Sequence, residues 1–313
     1  MPGRRFRTLS DYRRAQQTKL LRPSCREKII MVNNYNLALI KVHFTAVLFG
    51  LTGVLGVIIS ADSDVIVLGR VIIAFLALSV YFLIKREKLT ALSTKDVANQ
   101  SLSGALLTAH WVTFYVAVKV GGVAVATLGF AGFPGFVALF ERLFFQEKLK
   151  RRELILLIAV TIGLILVTPQ FEFGNQSTQG LLWGIFSGAI YGILAILNRK
   201  NINKLSGTQA SWWQYLIGSI LLFPFAAHKL PAVSVTDWFW IACLGLLCTS
   251  LAYTLFVSSL NIINARTAAM IISLEPVYAI LIAWIWLGEQ PGLRMIIGGL
   301  IILLSVGVVN FRR

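Results

Sequence analysis

Ten apolar tracts, each close to the length at which a helix crosses a bilayer, leave this chain few folds to choose from. A spanning helix needs about 20 mostly apolar residues, and hydrocarbon offers no water to pair the backbone of such a tract in any open conformation. The tracts run over Leu37–Ile59, Val65–Ile84, Val97–Val118, Val123–Phe145 and Leu154–Val167, then Gly180–Leu197, Gln209–Ala226, Trp238–Leu260, Thr267–Leu287 and Leu293–Phe311. They predict an all-α integral membrane protein of ten transmembrane helices. Composition agrees: the chain is 57% hydrophobic and 13% charged, with a mean hydropathy of +0.77, too apolar for an ordinary soluble domain.

The tracts are organised by an internal repeat at an offset of 142 residues. AGFPGFVALFERLFFQE (131–147) aligns without a gap on SLEPVYAILIAWIWLGE (273–289), so that Pro134 matches Pro276, Glu147 matches Glu289 and, further on, Arg152 matches Arg294. A repeat of this length divides the chain into two related halves. The expected boundaries are 36–168 and 179–311, behind a basic cytoplasmic tail, disordered, over 1–35. Translation starting at Met31, directly ahead of the first tract, is a further expectation.

Loop charges orient the halves. With a cytoplasmic N-terminus, that side carries 24 Lys and Arg, against Lys119, Lys229 and Arg294 on the other side. Both termini are then cytoplasmic, and an odd number of helices per half turns the second half upside down, giving two inverted five-helix repeats. The net charge of +16 follows from this loop bias, so the partner it implies is the lipid bilayer and not nucleic acid. Glycines at 180, 184, 188 and 192, at 50, 53 and 56, and at 129, 132 and 135 form ridges for close helix packing.

Ionisable groups inside apolar tracts are costly and mark functional sites. Glu275 lies about 12 Å into the ninth helix at ~1.5 Å per residue, and Pro276 beside it removes a backbone donor. Such a carboxylate suits a cation, a substrate amine or a proton, or else a neutral hydrogen bond to a neighbouring helix. Its counterpart in the first half is Phe133. Arg70 can snorkel to an interface or turn inward to hold an anion or an acid. His43 and His110 are expected to be buried, Glu141 and Arg142 near an interface, and Arg70, His43 and Glu141 to serve gating or charge pairing. Trp111 and Tyr115 share a face of the third helix. With His110, Tyr191, Gln214, Tyr253 and Tyr278 they outline an amphipathic cavity for a small organic solute. Trp238, Trp240, Trp284 and Trp286 read as an interfacial belt. Cys25, Cys243 and Cys248 form neither a disulfide framework nor a metal cluster.

No HExxH, nucleophile elbow or phosphate-binding loop occurs, so an enzyme is not expected, nor a cofactor or a metal. From Asn36 to Phe311 the chain resembles the drug/metabolite transporter superfamily, specifically its EamA-type ten-helix members. The resemblance rests on Leu274, Glu275 and Pro276, Gly288 and Glu289 at the turn, Gly298 and Gly299 in the last helix, Arg70 in the second and Glu147 in the first half, where Phe133 departs from the family's Leu-Glu-Pro pattern. It implies a secondary carrier, often an exporter, with a central cavity between inverted repeats. The expected function is therefore export of a small metabolite, such as an amino acid or related compound, across a bacterial plasma membrane by alternating access, with proton coupling through Glu275 as an addition. Pro134, Pro276, Glu147 and Glu289 are expected to be structural. An uncoupled facilitator and a non-transporting membrane sensor or assembly partner are the alternatives; oligomeric state is left open.

Overall fold

The computed structural model describes residues 25–145, 151–167, 174–201, 205–260, 262–263, 268, 271–272 and 274–311. The helices are α1 (Cys25–Ile58), α2 (Ser63–Lys85), α3 (Thr94–Gly121), α4 (Val123–Phe130), α5 (Phe133–Phe145), α6 (Arg151–Val167), α7 (Gln176–Asn201) and α8 (Gly207–Ala226). A 3-10 turn (Ala227–Ala232) leads to α9 (Val235–Cys243), a π-helical segment (Leu244–Leu251), α10 (Ala252–Leu260), α11 (Glu275–Leu287) and α12 (Leu293–Phe311). All secondary structure among the described residues is helical. Seven stretches are long and apolar enough to cross a membrane, and Leu157–Val167, Glu275–Leu287 and Leu293–Ser305 are shorter apolar helices. The protein is a multi-pass membrane protein. Residues 1–24 of the expected tail lie outside the described residues, and α1 begins at Cys25, well ahead of its membrane tract.

Local chemistry sets the helix ends. Ser93, Ser206 and Ser234 each accept a hydrogen bond from the backbone N–H three residues on, at Asp96, Gln209 and Asp237, starting α3, α8 and α9. Gly122, at φ 82°, turns the chain sharply from α3 into α4, and Gly288, at φ 73°, ends α11.

The fourth tract is not one helix but two. Pro134 has no N–H to offer the Phe130 carbonyl, and the chain turns at Ala131 and Gly132 before α5 begins. In the ninth tract, α11 likewise starts at Glu275 with Pro276 in its first turn. Thus α5 and α11 begin and end at positions 142 apart, each 13 residues long. The eighth tract is also irregular: in its π segment the Thr249 and Ser250 hydroxyls donate to carbonyls five residues back, at Leu244 (2.8 Å) and Gly245 (3.0 Å).

Glycines let these helices meet. Gly180 of α7 abuts Gly121, and a Cβ on Gly184 would come within 2.7 Å of the Ala126 carbonyl oxygen. One on Gly50 would come within 2.8 Å of the Ala279 amide nitrogen, pressing α1 against the first turn of α11. The ridges expected from the sequence are packing surfaces.

Candidate functional site

A cavity of about 210 Å3 lies among α1, α2, α3, α4, α5, α7, α8, α10, α11 and the π segment. Arg70, from α2, turns inward and is only 4% exposed. Its Nε donates to Thr249 Oγ1 (2.7 Å), its Nη1 donates to Tyr115 Oη (3.2 Å), and its guanidinium carbon sits 3.8 Å from the ring centroid of Trp111. Tyr115 fits there because residue 56 is glycine: a Cβ would stand 2.6 Å from the Tyr115 ring. Thr249 couples the guanidinium to the π segment, since its own hydroxyl proton goes to Leu244 O.

The same cavity has a wall of rings. His110 stacks on Phe130 with centroids 4.9 Å apart, and Tyr191 lies 5.0 Å from His110, 5.5 Å from Phe130 and 5.1 Å from Phe133. His110 Nδ1 is 2.7 Å from Ser187 Oγ, whose hydroxyl donates to the His110 carbonyl at 2.9 Å. Glu275 lines the same cavity, and its carboxyl has neither a hydrogen bond nor a salt bridge among the described residues. At the far end, Gln214 Nε2 donates to Asn198 Oδ1 (3.0 Å) and Gln100 Oε1 (3.4 Å), and Ser211 and Tyr253 complete a polar patch.

One end of the bundle is tied by ion pairs and hydrogen bonds. Lys229 Nζ lies 2.9 Å from both Asp62 and Asp64, Ser60 N–H donates to Asp237 (2.9 Å), and Lys119 Nζ donates to the Ile59 carbonyl (2.8 Å). The Lys229 ammonium holds the Asp62 carboxyl below the usual carboxylate range. Near this end, Glu289 accepts from the backbone N–H groups of Val123 (3.1 Å) and Ala124 (3.4 Å), capping α4 from across the molecule.

The residues singled out by sequence divide as follows. Arg70, His110, Trp111, Tyr191, Gln214, Tyr253 and Glu275 line the cavity. Tyr115 does not; it is fully buried behind Arg70. Tyr278 does not either: its hydroxyl lies 3.2 Å from Nδ1 of His43, which is exposed and not buried, because it sits on the outward side of α1. Glu141, on α5, is half-buried and away from the cavity. Pro134 and Pro276 stand at the two helix starts and Glu289 at the α4 cap, whereas Glu147 lies outside the described residues. Sequence reasoning missed Phe114, Phe130, Asn198, Ser211 and Thr249 as wall residues. It flagged Phe133 only as the mismatch to Glu275, and that mismatch was the available signal: both positions face the one cavity.

These features define a multi-pass helical membrane protein with a solute-sized cavity at the meeting of its broken helices. The chain belongs to the EamA-like transporter family, whose description matches it twice, over residues 36–168 and 178–311. It is therefore a transporter-family protein and not an enzyme. It is 26% identical over 282 residues to the uncharacterized transporter YxxF of Bacillus subtilis strain 168, covering 88% of this chain and 90% of that one. The uncharacterized transporter YdfC of the same organism is 24% identical over 246 residues, or 77% and 79% of the two chains. A solved crystal structure at 16% identity superposes with a TM-score of 0.60 over 86% of this chain and 94% of its own, a likeness of fold alone.

Proposed function

We propose that this protein is a secondary transporter that exports a small organic metabolite, such as an amino acid or related compound, across the plasma membrane by alternating access between two inverted five-helix repeats. The observation that carries the reading is the cavity itself, in which Arg70 from the first half and Glu275 from the second face one solute-sized space walled by rings. Broken helices at matching positions in the two halves are the usual setting for a mid-membrane solute site. With both termini cytoplasmic, as the loop charges favour, the ion-paired Asp62 end faces outward, and the polar patch of Ser211, Asn198 and Tyr253 lies toward the cytoplasm. That arrangement supports loading from inside.

Glu275 sets the charge preference of the site and supplies the proton-coupling group; Arg70 joins the π segment to α3. The test is flux in proteoliposomes across a panel of labelled amino acids. Saturable uptake with accumulation under a proton gradient supports the reading. Unsaturable flux without accumulation identifies a facilitator, and binding without flux identifies a sensor. Transport by Glu275→Gln that keeps the full pH dependence of the wild type removes the coupling role.

A further inference from the structure

Ser187 has one hydroxyl proton, and the 2.9 Å contact with the His110 carbonyl uses it. With that proton so placed, its oxygen accepts at His110 Nδ1, 2.7 Å away, and we assign the ring proton to Nδ1. This assignment, drawn from the hydrogen-bond network, leaves Nε2 as a bare acceptor on a ring that lines the cavity, with no protein donor among the described residues. Two acceptors therefore face the space, His110 Nε2 and the Glu275 carboxyl, among the rings of Phe130, Phe133 and Tyr191. Tyr191 joins them, with its ring 5.0 Å from His110.

We infer that His110 Nε2, Glu275 and this ring wall form a subsite for an ammonium group that carries at least one N–H, so that the solute is read as a primary or secondary amine. Glu275 neutralises the charge, the ring faces attract the cation, and His110 takes one N–H. A quaternary ammonium satisfies the first two and leaves Nε2 unpaired. A carboxylate meets two acceptors and is repelled. Arg70 is held by Thr249, Tyr115 and Trp111 and donates no hydrogen bond to Glu275 or His110 among the described residues, so both acceptors stay open to the amine. The inference rests on the proposed function only in taking the cavity as the solute site.

The test uses the full chain in nanodiscs and measures binding of phenethylamine, its N,N,N-trimethyl derivative and 3-phenylpropionate by tryptophan fluorescence. The expected result is that phenethylamine binds at least about tenfold more tightly than either analogue, the worth of a hydrogen bond to a charged group. His110→Phe, which keeps a ring, should bring the primary amine down to the level of its trimethyl derivative. Glu275→Gln should abolish the preference over 3-phenylpropionate. Equal binding of primary and quaternary amines by the wild type overturns the inference. Should His110→Phe misfold, 15N NMR of His110 in a His43→Gln, His228→Gln background decides: a protonated Nδ1 and a bare Nε2 that shifts with phenethylamine are expected, and a protonated Nε2 refutes the subsite. Amine binding without any solute flux defeats the transport reading alone. Saturable flux with amine binding indifferent to both substitutions defeats the subsite alone.

Discussion

Arg70→Lys tests how α2 is tied to α3 and the π segment beside the cavity. The guanidinium makes two directed hydrogen bonds, to Thr249 and Tyr115, and its carbon sits 3.8 Å from the Trp111 ring centroid. An ammonium keeps at most one of those bonds and loses that ring contact. The lost charged hydrogen bond is worth about 1.5–3 kcal/mol, and the lost cation–π contact about 0.5–2 kcal/mol. The net expectation, after the ammonium recovers part of this, is a destabilisation of about 2–4 kcal/mol. Tyr115→Phe removes the same Nη1 bond from the other side and should cost about 1–2 kcal/mol. Because both substitutions break one shared contact, the double variant should be less destabilised than their sum by roughly 1 kcal/mol. Equilibrium unfolding in mixed micelles gives all three values. Strict additivity, or an Arg70→Lys protein as stable as the wild type, would refute the account of Arg70.

Three further predictions use the same scaffold. Glu289→Ala strips the acceptor from the first N–H groups of α4 and should lower stability by about 1–2 kcal/mol, with Glu289→Gln between it and the wild type. Gly184→Val should prevent assembly, since even a Cβ meets the Ala126 carbonyl at 2.7 Å, whereas Gly174→Val, with nothing within 4 Å, should express like the wild type; size-exclusion profiles separate the two. Asp62 titrates below its ordinary range because of Lys229, so the stability this pair adds is present above the usual carboxylate pKa and is lost as pH falls through the lowered one. Lys229→Met should therefore speed amide exchange over residues 60–65 at neutral pH, and the difference from wild type should vanish in acid.

Much of the site was legible because a polar side chain in an apolar tract has few places to go. Arg70, His110, Gln214 and Glu275 stand on four different helices, yet each avoids lipid by facing one interior space. Tyr115 and Tyr278 misled for the same reason: a tyrosine needs only one partner for its hydroxyl, and Arg70 and His43 supply those partners away from the cavity. The phenylalanine wall was illegible, since Phe114 or Phe130 in a run of apolar residues carries no sign of which way it faces. The breaks ahead of α5 and α11 were half legible: Pro134 and Pro276 announce a missing donor, but unbroken hydropathy suggests continuous helices. The π segment left no mark in the hydropathy; Gly245 within it packs closely on Ile73 and the Arg70 carbonyl. The repeat told most where it failed, placing Phe133 and Glu275 on one cavity with a ring at one position and a charge at the other.

The most direct test of the central claim, that this cavity is the solute path, is counterflow of a labelled amino-acid pool in proteoliposomes for the wild type and Glu275→Ala. The account predicts saturable counterflow by the wild type and its loss in a variant that still folds. Equal counterflow by both proteins would contradict it.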